Sequence, residues 1–584
     1  MRSINRAFSL SVALIFSFFS LVTSAAIADA FAGQTTRVSV SSAGDAANAS
    51  PSGGVISADG NYVVFWSTAT NLVPGVSGGQ VYRHDLRNHE TVLVSATTAR
   101  TGGNNASRDP SVSEHGNFVV FSSFATDLVA SDTNGAVMDV FVRDMDRDPA
   151  LGGAITLVSA NSAGEQGNMA SGLSGLSGAR EISDNGRYVV FMSSATNFAA
   201  VNNPLSMRQV YRKDMTSGLT PPTPGALVRV SVNGAGDPGD SPSQNPSISG
   251  EGNTVAFNSA ARNLTADPTT AGIQQVFVRE LPAGPTTMES VGAGTGRASI
   301  TPVLSKTGQY LAFDSEGVFD TYDLDNGTRD VYLRDRVLKT IELASRSPND
   351  VPGAISFGPS ISGDGRWVAY SSIDEKVFGS DPLRDTNGIV ADVFIYDSDS
   401  DPVNPSVRYV SLNDGDEQAS LASVGASVSS DGSRVLFAST APNLVTDPAS
   451  VGLQLYVRKF VADQPPVSIE WEAPLGDTFT VGRNLPVKFR ILAPDGTSVL
   501  DDSVQVDVLD SSYVVVPGTS YVFGDQPSRS VMWAGDSYHV NVDTKDLQVG
   551  MYQLRVRFSS ATLTVVFTLS TNGTASAVRS RLRD

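Results

Sequence analysis

Three acidic loops carry the residues whose types and spacing could bind a metal ion. Two of them read Asp-x-Asn-Gly with a further Asp four residues after the Gly, and the third is a looser copy. Oxygen ligands separated by single residues around a glycine turn suit Ca²⁺, which takes several carboxylate and carbonyl oxygens. The candidate calcium ligands are Asp132, Asn134, Asp139, Asp323, Asp325, Asp330, Asp385, Asn387 and Asp392.

The same loops have a second interpretation that needs no metal. Asn-Gly forms tight turns, and an Asp side chain accepts hydrogen bonds from nearby backbone N–H groups. The bidentate Glu and the flanking helices of an EF-hand do not accompany these loops. Calcium is therefore the one cofactor that the sequence suggests, and the turn interpretation stands beside it.

No other residues form a recognisable catalytic set. The four histidines, His84, His89, His115 and His539, lack the spacing of a metal-binding pair, and we expect them in turns or at the surface. The glycine- and serine-rich segment 172–178 resembles a nucleophile elbow only loosely, because no helical pattern follows it. We interpret that segment as a flexible loop and assign no catalytic residue.

The elements that must position these loops are seven copies of one β motif. Each copy has a turn ending in Gly, an apolar strand ending in an aromatic residue, one further residue and a Ser. A second strand follows later in each copy. This repetition predicts an all-β protein with a seven-bladed β-propeller. The glycines are Gly60, Gly116, Gly186, Gly252, Gly308, Gly365 and Gly432; the aromatics are Phe65, Phe121, Phe191, Phe257, Phe313, Tyr370 and Phe437; the serines are Ser67, Ser123, Ser193, Ser259, Ser315, Ser372 and Ser439.

The seventh copy lacks a fourth strand, and the beginning of the chain can supply it. This copy stops after its third strand, residues 454–458, whereas residues 36–40 resemble the fourth strand of an earlier copy. We therefore expect residues 36–40 to complete the last blade and close the ring. Closure removes the exposed sheet edge that would otherwise favour aggregation.

Loop lengths predict two unequal faces of the propeller. The long segments join the second strand to the third and the fourth strand to the next blade, and both classes of loop emerge on the same side. We call this side the long-loop face and the opposite side the plain face. Function is expected on the long-loop face, because binding residues usually lie on loops that a rigid scaffold positions.

Two stretches of sequence resemble known families. Residues 362–370 and 392–397 are similar to TolB-like, WD-repeat-like propeller repeats of bacterial envelope proteins, and the resemblance covers roughly residues 36–460. Residues 484–489 and 550–556 resemble the PxKF domain, a C-terminal module of bacterial surface or secreted proteins. The second resemblance implies a small Ig-like β-sandwich over residues 465–571 that acts as a spacer or attachment module.

The first 32 residues are typical of an export signal. Arg2 and Arg6 precede an apolar stretch at residues 8–22, and small residues follow as cleavage sites. That stretch is shorter than the ~20 residues of a membrane span, so the mature protein is expected to have no transmembrane segment. We predict a signal peptide at 1–32, the propeller at 33–462, the sandwich at 465–571 and a disordered tail at 572–584. The predicted location is the periplasm or the cell exterior.

Composition narrows the classes of partner. The chain has 584 residues, no cysteine and a formal charge of −19, which disfavours nucleic acid and anionic lipid. Our first hypothesis is a monomeric, non-catalytic binding or scaffold protein that recognises a protein, peptide or glycan through the long-loop face. The alternatives are an enzyme acting on polysaccharide or glycoconjugate at the propeller centre, near Trp66, Arg262 and Lys376, and a calcium-stabilised matrix or adhesion protein.

Overall fold

Each of the seven sequence copies forms one four-stranded antiparallel sheet in the computed structural model of the protein. The structure describes residues 33–460 and the eight strands that lie between residues 468 and 569. The segments outside this description within residues 33–460 are 152–153, 199–205, 216–225, 268, 293–295, 321–326, 347–354, 374–386, 389, 400–405 and 447–451. No helix in the described part is both long and apolar enough to cross a bilayer.

The seven sheets are the blades of a β-propeller, and in the first six blades the strands follow one another in chain order. Blade 1 contains β2 Pro51–Ile56, β3 Tyr62–Ser67, β4 Gln80–Asp85 and β5 Glu90–Leu93; blade 2 contains β6 Ser107–Val112, β7 Phe118–Ser123, β8 Asp139–Asp144 and β9 Ile155–Leu157, with a 3-10 turn at Pro149–Leu151; blade 3 contains β10 Ser171–Gly172, β11 Tyr188–Ser193, β12 Gln209–Asp214 and β13 Leu227–Arg229.

The remaining blades continue this pattern. Blade 4 contains β14 Ser243–Ile248, β15 Thr254–Ser259, β16 Gln275–Glu280 and β17 Thr286–Met288; blade 5 contains β18 Ser299–Leu304, β19 Tyr310–Ser315, β20 Asp330–Asp335 and β21 Thr340–Leu343; blade 6 contains β22 Ser356–Ile361, β23 Trp367–Ser372, β24 Asp392–Asp397 and β25 Ser406–Tyr409; blade 7 contains β26 Ser423–Val428, β27 Arg434–Ser439, β28 Gln454–Phe460 and the N-terminal strand β1 Gly33–Arg37.

The predicted closure of the ring by the start of the chain is confirmed. Strand β1 pairs antiparallel with β28, from Gly33 opposite Phe460 to Arg37 opposite Tyr456. The paired segment begins three residues earlier than predicted. Beyond it, the Ser39 hydroxyl donates to Gln454 Oε1 at 2.6 Å, so residues 38–40 continue along the same blade as a connection.

The repeated residues form the core between neighbouring blades. The strand aromatic of each blade stacks on the aromatic of its third strand, as Phe65 does on Tyr82 with ring centroids 5.9 Å apart. Each buried cluster joins side chains from two adjacent blades; one of them contains Val64 from blade 1 and Phe121 from blade 2. Burial between sheets therefore explains why the motif repeats in register.

Residues 468–569 form eight β-strands in one continuous hydrogen-bonded order, β29-β30-β34-β33-β32-β31-β35-β36. Strand-like runs at 467–471, 485–492, 504–508, 538–542, 552–558 and 562–569 predict six of these strands, and no such run predicts β32 or β33. The two groups of strands meet at a short parallel pairing of β32 with β33, so an Ig-like two-sheet sandwich is not confirmed. The strands are β29 Ser468–Trp471, β30 Asn484–Leu492, β31 Gln505–Leu509, β32 Val515–Phe523, β33 Ser530–Ala534, β34 Ser537–Asp543, β35 Gly550–Phe558 and β36 Ala561–Leu569.

Candidate functional site

The structure brings together Asp132, Asn134 and Asp139 of the first candidate calcium loop. Oδ2 of Asp139 accepts hydrogen bonds from Asn134 Nδ2 at 2.9 Å and from Gln166 Nε2 at 2.8 Å. Its Oδ1 accepts a hydrogen bond from the Ser159 hydroxyl at 2.6 Å. Amide and hydroxyl hydrogens therefore occupy both carboxylate oxygens that calcium would need.

Comparison with the other blades explains this arrangement. In blade 1 the residue at the position of Asp139 is Gln80, whose Oε1 accepts from the Ser95 hydroxyl and whose Nε2 donates to Gly103 O at 3.0 Å. In blade 2 the longer pair Asp139 and Asn134 makes the same two contacts, because Asn134 Nδ2 donates to Gly167 O at 2.9 Å. Asp139 and Asn134 of the Asp-x-Asn-Gly loop therefore make the two contacts that Gln80 makes alone in blade 1.

The second loop, in blade 6, repeats this network. Asn387 Nδ2 donates to Asp392 Oδ2 at 3.3 Å and to Ala419 O at 2.7 Å. In blade 5, Asp330 accepts from the Ser345 hydroxyl at 2.8 Å. Within the described residues no three His, Cys, Asp or Glu side chains are grouped to hold a metal. This geometry favours the turn interpretation, and calcium binding stays a prediction; Asp323, Asp325 and Asp385 lie outside the described residues.

A rescue experiment tests the equivalence of these side chains. Asn134→Ala leaves Gly167 O and the buried Asp139 carboxylate short of a donor, so we expect a loss of about 1–2 kcal/mol of unfolding free energy. Adding Asp139→Gln to Asn134→Ala restores the glutamine of blade 1. Gln166 Nε2 then keeps only its hydrogen bond to Asp132 Oδ1, which is 3.2 Å in the parent, so we expect part of the loss to be recovered. Urea denaturation of the two variants beside the parent measures both effects.

The second part of this experiment compares the melting temperature with calcium and with a chelator. Protein donors already reach both oxygens of Asp139, although Asn134 Oδ1 is buried without a hydrogen-bond partner. We therefore expect the same melting temperature in 1 mM calcium and in excess chelator. A rise with calcium that disappears in Asn134→Ala would support the metal interpretation and contradict ours.

The histidine prediction is wrong for His84. This residue is 1% exposed, and its Nδ1 lies 2.8 Å from Thr91 Oγ1. Burial, with His89 nearby, lowers the pKa of His84 to about 4. The side chain is therefore a neutral core residue of blade 1. His115 is exposed as predicted, with Nδ1 3.4 Å from Asp59 Oδ2.

A ring of backbone hydrogen bonds closes the propeller axis at the plain face. The turns between the first and second strands of all seven blades are linked head to tail around the axis. The bonds run from Asp59 N to Glu114 O, Glu114 N to Asp184 O, Asp184 N to Gly250 O, Gly250 N to Lys306 O, Lys306 N to Gly363 O, Gly363 N to Ser430 O and Ser430 N to Ala58 O, at 2.8–3.1 Å.

Charged side chains cross the small opening that this ring leaves. Lys306 Nζ in blade 5 lies 2.8 Å from Glu114 Oε1 in blade 2 and 3.2 Å from Asp184 Oδ2 in blade 3. Arg180 NH1 reaches the other oxygen of Asp184 at 2.9 Å. Two of the ring residues are Gly250 and Gly363, where a Cβ would overlap side chains of the neighbouring turns. The axis is therefore blocked at the plain face.

At the long-loop face the inner-strand residues nearest the axis are partly exposed. The innermost strands of blades 2, 4, 5, 6 and 7 share one burial pattern: the first residue is buried, the second and third are half-exposed, and the last three are buried. The third residue is part of a β-bulge that interrupts pairing with the second strand. The second and third residues of these strands therefore line a mouth, which we call the axial mouth.

Blade 3 fills the axis behind this mouth with a loop of its own. Its inner strand β10 has two residues, and the chain then leaves the sheet until residue 181; we call residues 173–180 the axial loop. A Cβ at Gly178 would overlap Ser360 of blade 6, and one at Gly175 would overlap Asp109 of blade 2. The Ser111 hydroxyl of blade 2 donates to Ala179 O at 3.1 Å. The segment interpreted from the sequence as a flexible loop is thus packed across the centre of the propeller.

A carboxyl group lies beneath the axial loop. Glu181 is 1% exposed, and its Oε1 accepts a hydrogen bond from Ser174 N at 2.6 Å. Burial raises the pKa of Glu181 to about 8, and Asp109 acts in the same direction. The pKa of Asp109 is itself raised by burial, against the effect of Arg108. Glu181 is therefore mainly protonated at neutral pH.

Glu181→Gln is expected to stabilise the protein near neutral pH. The folded-state pKa of Glu181, about 8, lies above the ordinary 4.5, so its favourable protonated form contributes fully below pH 4.5 and this contribution is lost as the pH rises toward 8. Gln keeps an acceptor for Ser174 N without ionising. We expect a gain on the order of 2 kcal/mol at pH 7 and none at pH 4, measured by denaturation across this range. Glu251→Gln, at an exposed position, is the control; equal pH profiles for Glu181→Gln and the parent would contradict the assignment.

The walls of the axial mouth differ in chemistry from one side to the other. Blades 2 and 4 present polar side chains at both positions, whereas blades 5, 6 and 7 have an apolar residue at the second position and Thr301, Gly358 and Gly425 at the third. Trp66 of blade 1 is half-buried beside Gly53, close to the mouth. The polar wall contains Arg108, Asp109, Gln244 and Asn245, and the apolar wall contains Ile300, Phe357 and Val424.

Of the other two residues singled out for an enzymatic centre, Arg262 is not in this mouth. Arg262 is exposed, and its backbone N–H donates to Asp240 Oδ1 at 2.7 Å in a contact between two surface loops. Lys376 lies outside the described residues. Sequence reasoning missed Glu181 and the axial loop, although blade 3 carries a signal: Ser171 to Ile182 is six residues longer than the equivalent Ser107 to Val112.

Comparisons with known proteins bear on the fold. No protein-family model and no curated protein matches this chain, so the PxKF-like identity of the C-terminal region has no support. Solved structures similar to the chain include a putative TolB from Agrobacterium tumefaciens, with 19% identity and a TM-score of 0.30 over 50% of this chain and 79% of that one.

Two peptidases are also among the similar structures. The Pyrococcus horikoshii acylaminoacyl peptidase is 10% identical with a TM-score of 0.39, over 76% of this chain and 57% of that one. A puromycin-hydrolysing peptidase of Mycobacterium tuberculosis is 13% identical with a TM-score of 0.39, over 81% of this chain and 63% of that one. This chain thus spans less than two thirds of either peptidase, and the resemblance carries no argument about activity.

Proposed function

We propose that the protein is an exported, non-catalytic binding or scaffold protein that recognises a protein, peptide or glycan at the axial mouth. The observation that carries this proposal is the difference between the two ends of the axis. The backbone ring and Lys306 close the plain-face end, whereas inner-strand residues of five blades are partly exposed at the long-loop end. Partly exposed side chains that converge from several blades suit the capture of a ligand group.

The residues of the mouth support this assignment because they are not repeated. Packing residues such as the stacked aromatics recur in every blade, whereas Arg108, Asp109 and Phe357 each occur once at their position. A polar wall opposite an apolar wall can orient a ligand with one polar and one apolar side. The axial loop, which no other blade has, forms the floor.

A direct binding comparison tests the proposal. Glycan and peptide arrays are probed with the full chain and with Arg108→Ser/Phe357→Ser, which changes both walls of the mouth. We expect a specific set of ligands bound by the parent to lose about ten-fold or more in affinity in the variant. Arg147→Ser on the plain face is the matched control and should retain binding. Equal binding by all three proteins would refute the axial site.

The enzymatic alternative has one observation in its favour. Asp109 is half-exposed in the mouth, adopts a left-handed backbone conformation with φ 54°, and lies near the protonated Glu181. Burial raises the pKa of both carboxyl groups, and perturbed carboxyl pKa values are common in acid–base sites. Turnover of a polysaccharide that is abolished in Asp109→Asn, with the fold intact, would replace the binding proposal with this one.

A further inference from the structure

One position of the repeated motif differs from blade to blade, and it lies directly behind the axial mouth. This position is the single residue between the strand aromatic and the serine. It pairs with the second residue of the inner strand, as Trp66 does with Ser52 and Asn258 does with Gln244. The flanking aromatic and serine are common to all blades, so this position adds chemistry that is particular to each blade. Its residues are Trp66, Ser122, Met192, Asn258, Asp314, Ser371 and Ala438.

Blades 6, 7 and 1 place apolar and aromatic side chains around one half of the mouth. Phe357 and Val424 are half-exposed at the second position of their inner strands. In blade 1 the half-buried indole of Trp66 lies against Gly53, because a Cβ on Gly53 would be 3.3 Å from Cδ1 of Trp66. Gly53 stands where blade 2 has Asp109, and glycine leaves room there for the ring. We call Phe357, Val424 and Trp66 the aromatic arc.

Blade 4, across the axis from blades 7 and 1, carries amide side chains. Gln244 and Asn245 are half-exposed at the second and third positions of its inner strand, and Asn245 has a left-handed backbone with φ 51°. Behind them Asn258 Nδ2 donates to Gln274 Oε1 at 2.5 Å. We call these four residues the amide wall. A primary amide offers two donors and one acceptor oxygen in a single plane, so the wall suits a ligand with many polar groups close together.

The charged groups of the mouth offset one another. Arg108 Nε lies 3.5 Å from Asp109 Oδ2. Asp314 accepts a hydrogen bond from the Thr301 hydroxyl, and burial raises the pKa of Asp314 to about 6. Glu181 beneath the axial loop is mainly protonated at neutral pH. These described groups are therefore paired, hydrogen-bonded or protonated, which favours a neutral ligand over a strongly charged one.

A sugar ring matches an aromatic arc that faces an amide wall. Neighbouring hydroxyls of a sugar each donate and accept hydrogen bonds, as primary amides do. The C–H groups of a sugar ring form an apolar face that can stack on the negative face of an aromatic ring. A peptide could cover the aromatic arc as well, but its backbone supplies one donor and one acceptor per residue. The clustered amides of blade 4 therefore favour the sugar.

We propose that the axial mouth binds one sugar unit of a neutral glycan, with a C–H face of the sugar on the aromatic arc and its hydroxyls on the amide wall. The half-exposed Ser174 and the exposed Gly175 of the axial loop lie beneath it. This inference rests on the proposed function, because it names the class of ligand for the same mouth.

Titration calorimetry of the full chain with defined oligosaccharides tests the inference. The neutral probes are the hexasaccharides of cellulose, laminarin, maltodextrin, mannan, xylan and chitin, and hexagalacturonate is their acidic counterpart. We expect saturable binding of at least one neutral hexasaccharide and weaker binding of hexagalacturonate. Gln244→Leu removes an amide and should weaken the neutral ligand about ten-fold. Phe357→Leu keeps an apolar side chain without the ring and should weaken it about three- to ten-fold, whereas Phe357→Trp should retain binding.

Gln309→Leu and Tyr310→Leu make the same kinds of exchange on the plain face and are the matched controls, which should bind as the parent does. Melting curves verify that every variant is folded. The inference is overturned if none of the neutral hexasaccharides binds, if hexagalacturonate binds more tightly, or if Phe357→Leu binds as well as Phe357→Trp. A peptide from the array that binds the parent and is lost in Arg108→Ser/Phe357→Ser would overturn the glycan assignment and leave the proposed function standing. Equal binding of a hexasaccharide by the parent and all mouth variants would refute both.

Discussion

Arg458→Ala is expected to destabilise the propeller by about 3–5 kcal/mol and to release its N-terminal strand. The Arg458 side chain is fully buried in blade 7. Its NH1 donates to Thr35 Oγ1 at 3.2 Å and to Leu412 O at 3.1 Å, and its NH2 lies 2.6 Å from Asp416 Oδ1. The guanidinium thus ties β1 to the connection between blades 6 and 7, at Leu412 and Asp416, and alanine leaves unpaired acceptors and a cavity.

The measurement is urea denaturation with limited proteolysis near Gly33–Arg37. Lys459→Ala is the control, because Lys459 is the exposed neighbour of Arg458 in the same strand. We expect the cut near residues 33–37 to appear in Arg458→Ala at urea concentrations at which Lys459→Ala resists cleavage. An unchanged midpoint in Arg458→Ala would show that β1 is held by backbone pairing alone.

Gly432→Ala is expected to lower the free energy of unfolding by about 3 kcal/mol or more. This is the second of the two largest effects that we predict. Gly432 has φ 73°, and a Cβ there would overlap the indole ring of Trp367 in the neighbouring blade. An alanine in the left-handed backbone conformation destabilises the protein by about 1 kcal/mol. Separating the packed blades to make room for its Cβ adds ~2–3 kcal/mol. Thermal and urea unfolding of the full chain measure the sum.

Gly44→Ala separates these two contributions. Gly44 has φ 90°, but a Cβ there meets nothing within 4 Å, so its substitution carries the backbone cost alone. We expect Gly44→Ala to lose about 1 kcal/mol. Equal losses in Gly44→Ala and Gly432→Ala would mean that the recurring glycine serves the turn and not the contact between blades.

The fold could be predicted because its determinants recur. The turn glycine and the strand aromatic serve the same contacts in each blade, so seven copies reinforce one interpretation. The missing fourth strand was visible by the same comparison. By contrast, Lys306 and Glu114 meet across the axis although nearly two hundred residues separate them, and neither residue is repeated. Pairwise contacts of this kind leave no periodic signal.

The acidic loops show a second reason why the site could not be predicted from the sequence alone. The oxygens of Asp139 could serve calcium or hydrogen-bond donors equally well, and composition and spacing are the same in both cases. The structure favours donors because Asn134 Nδ2 and Gln166 Nε2 point at the carboxylate. In the C-terminal region, β32 was missed because Pro517 and Gly518 lie inside it and are typical of a turn.

The pairing of β1 with β28 also has a consequence for the order of events during synthesis. The first strand of the ring and its partner are separated by more than four hundred residues, so the ring cannot close before Phe460 has been made. Until then, Gly33–Arg37 has no partner, and six nascent blades remain an open arc with two unsatisfied ends. If the chain is exported, the native ring can form only after nearly all of these residues have reached the far side of the membrane. The last strand to find its place is then the first to have emerged.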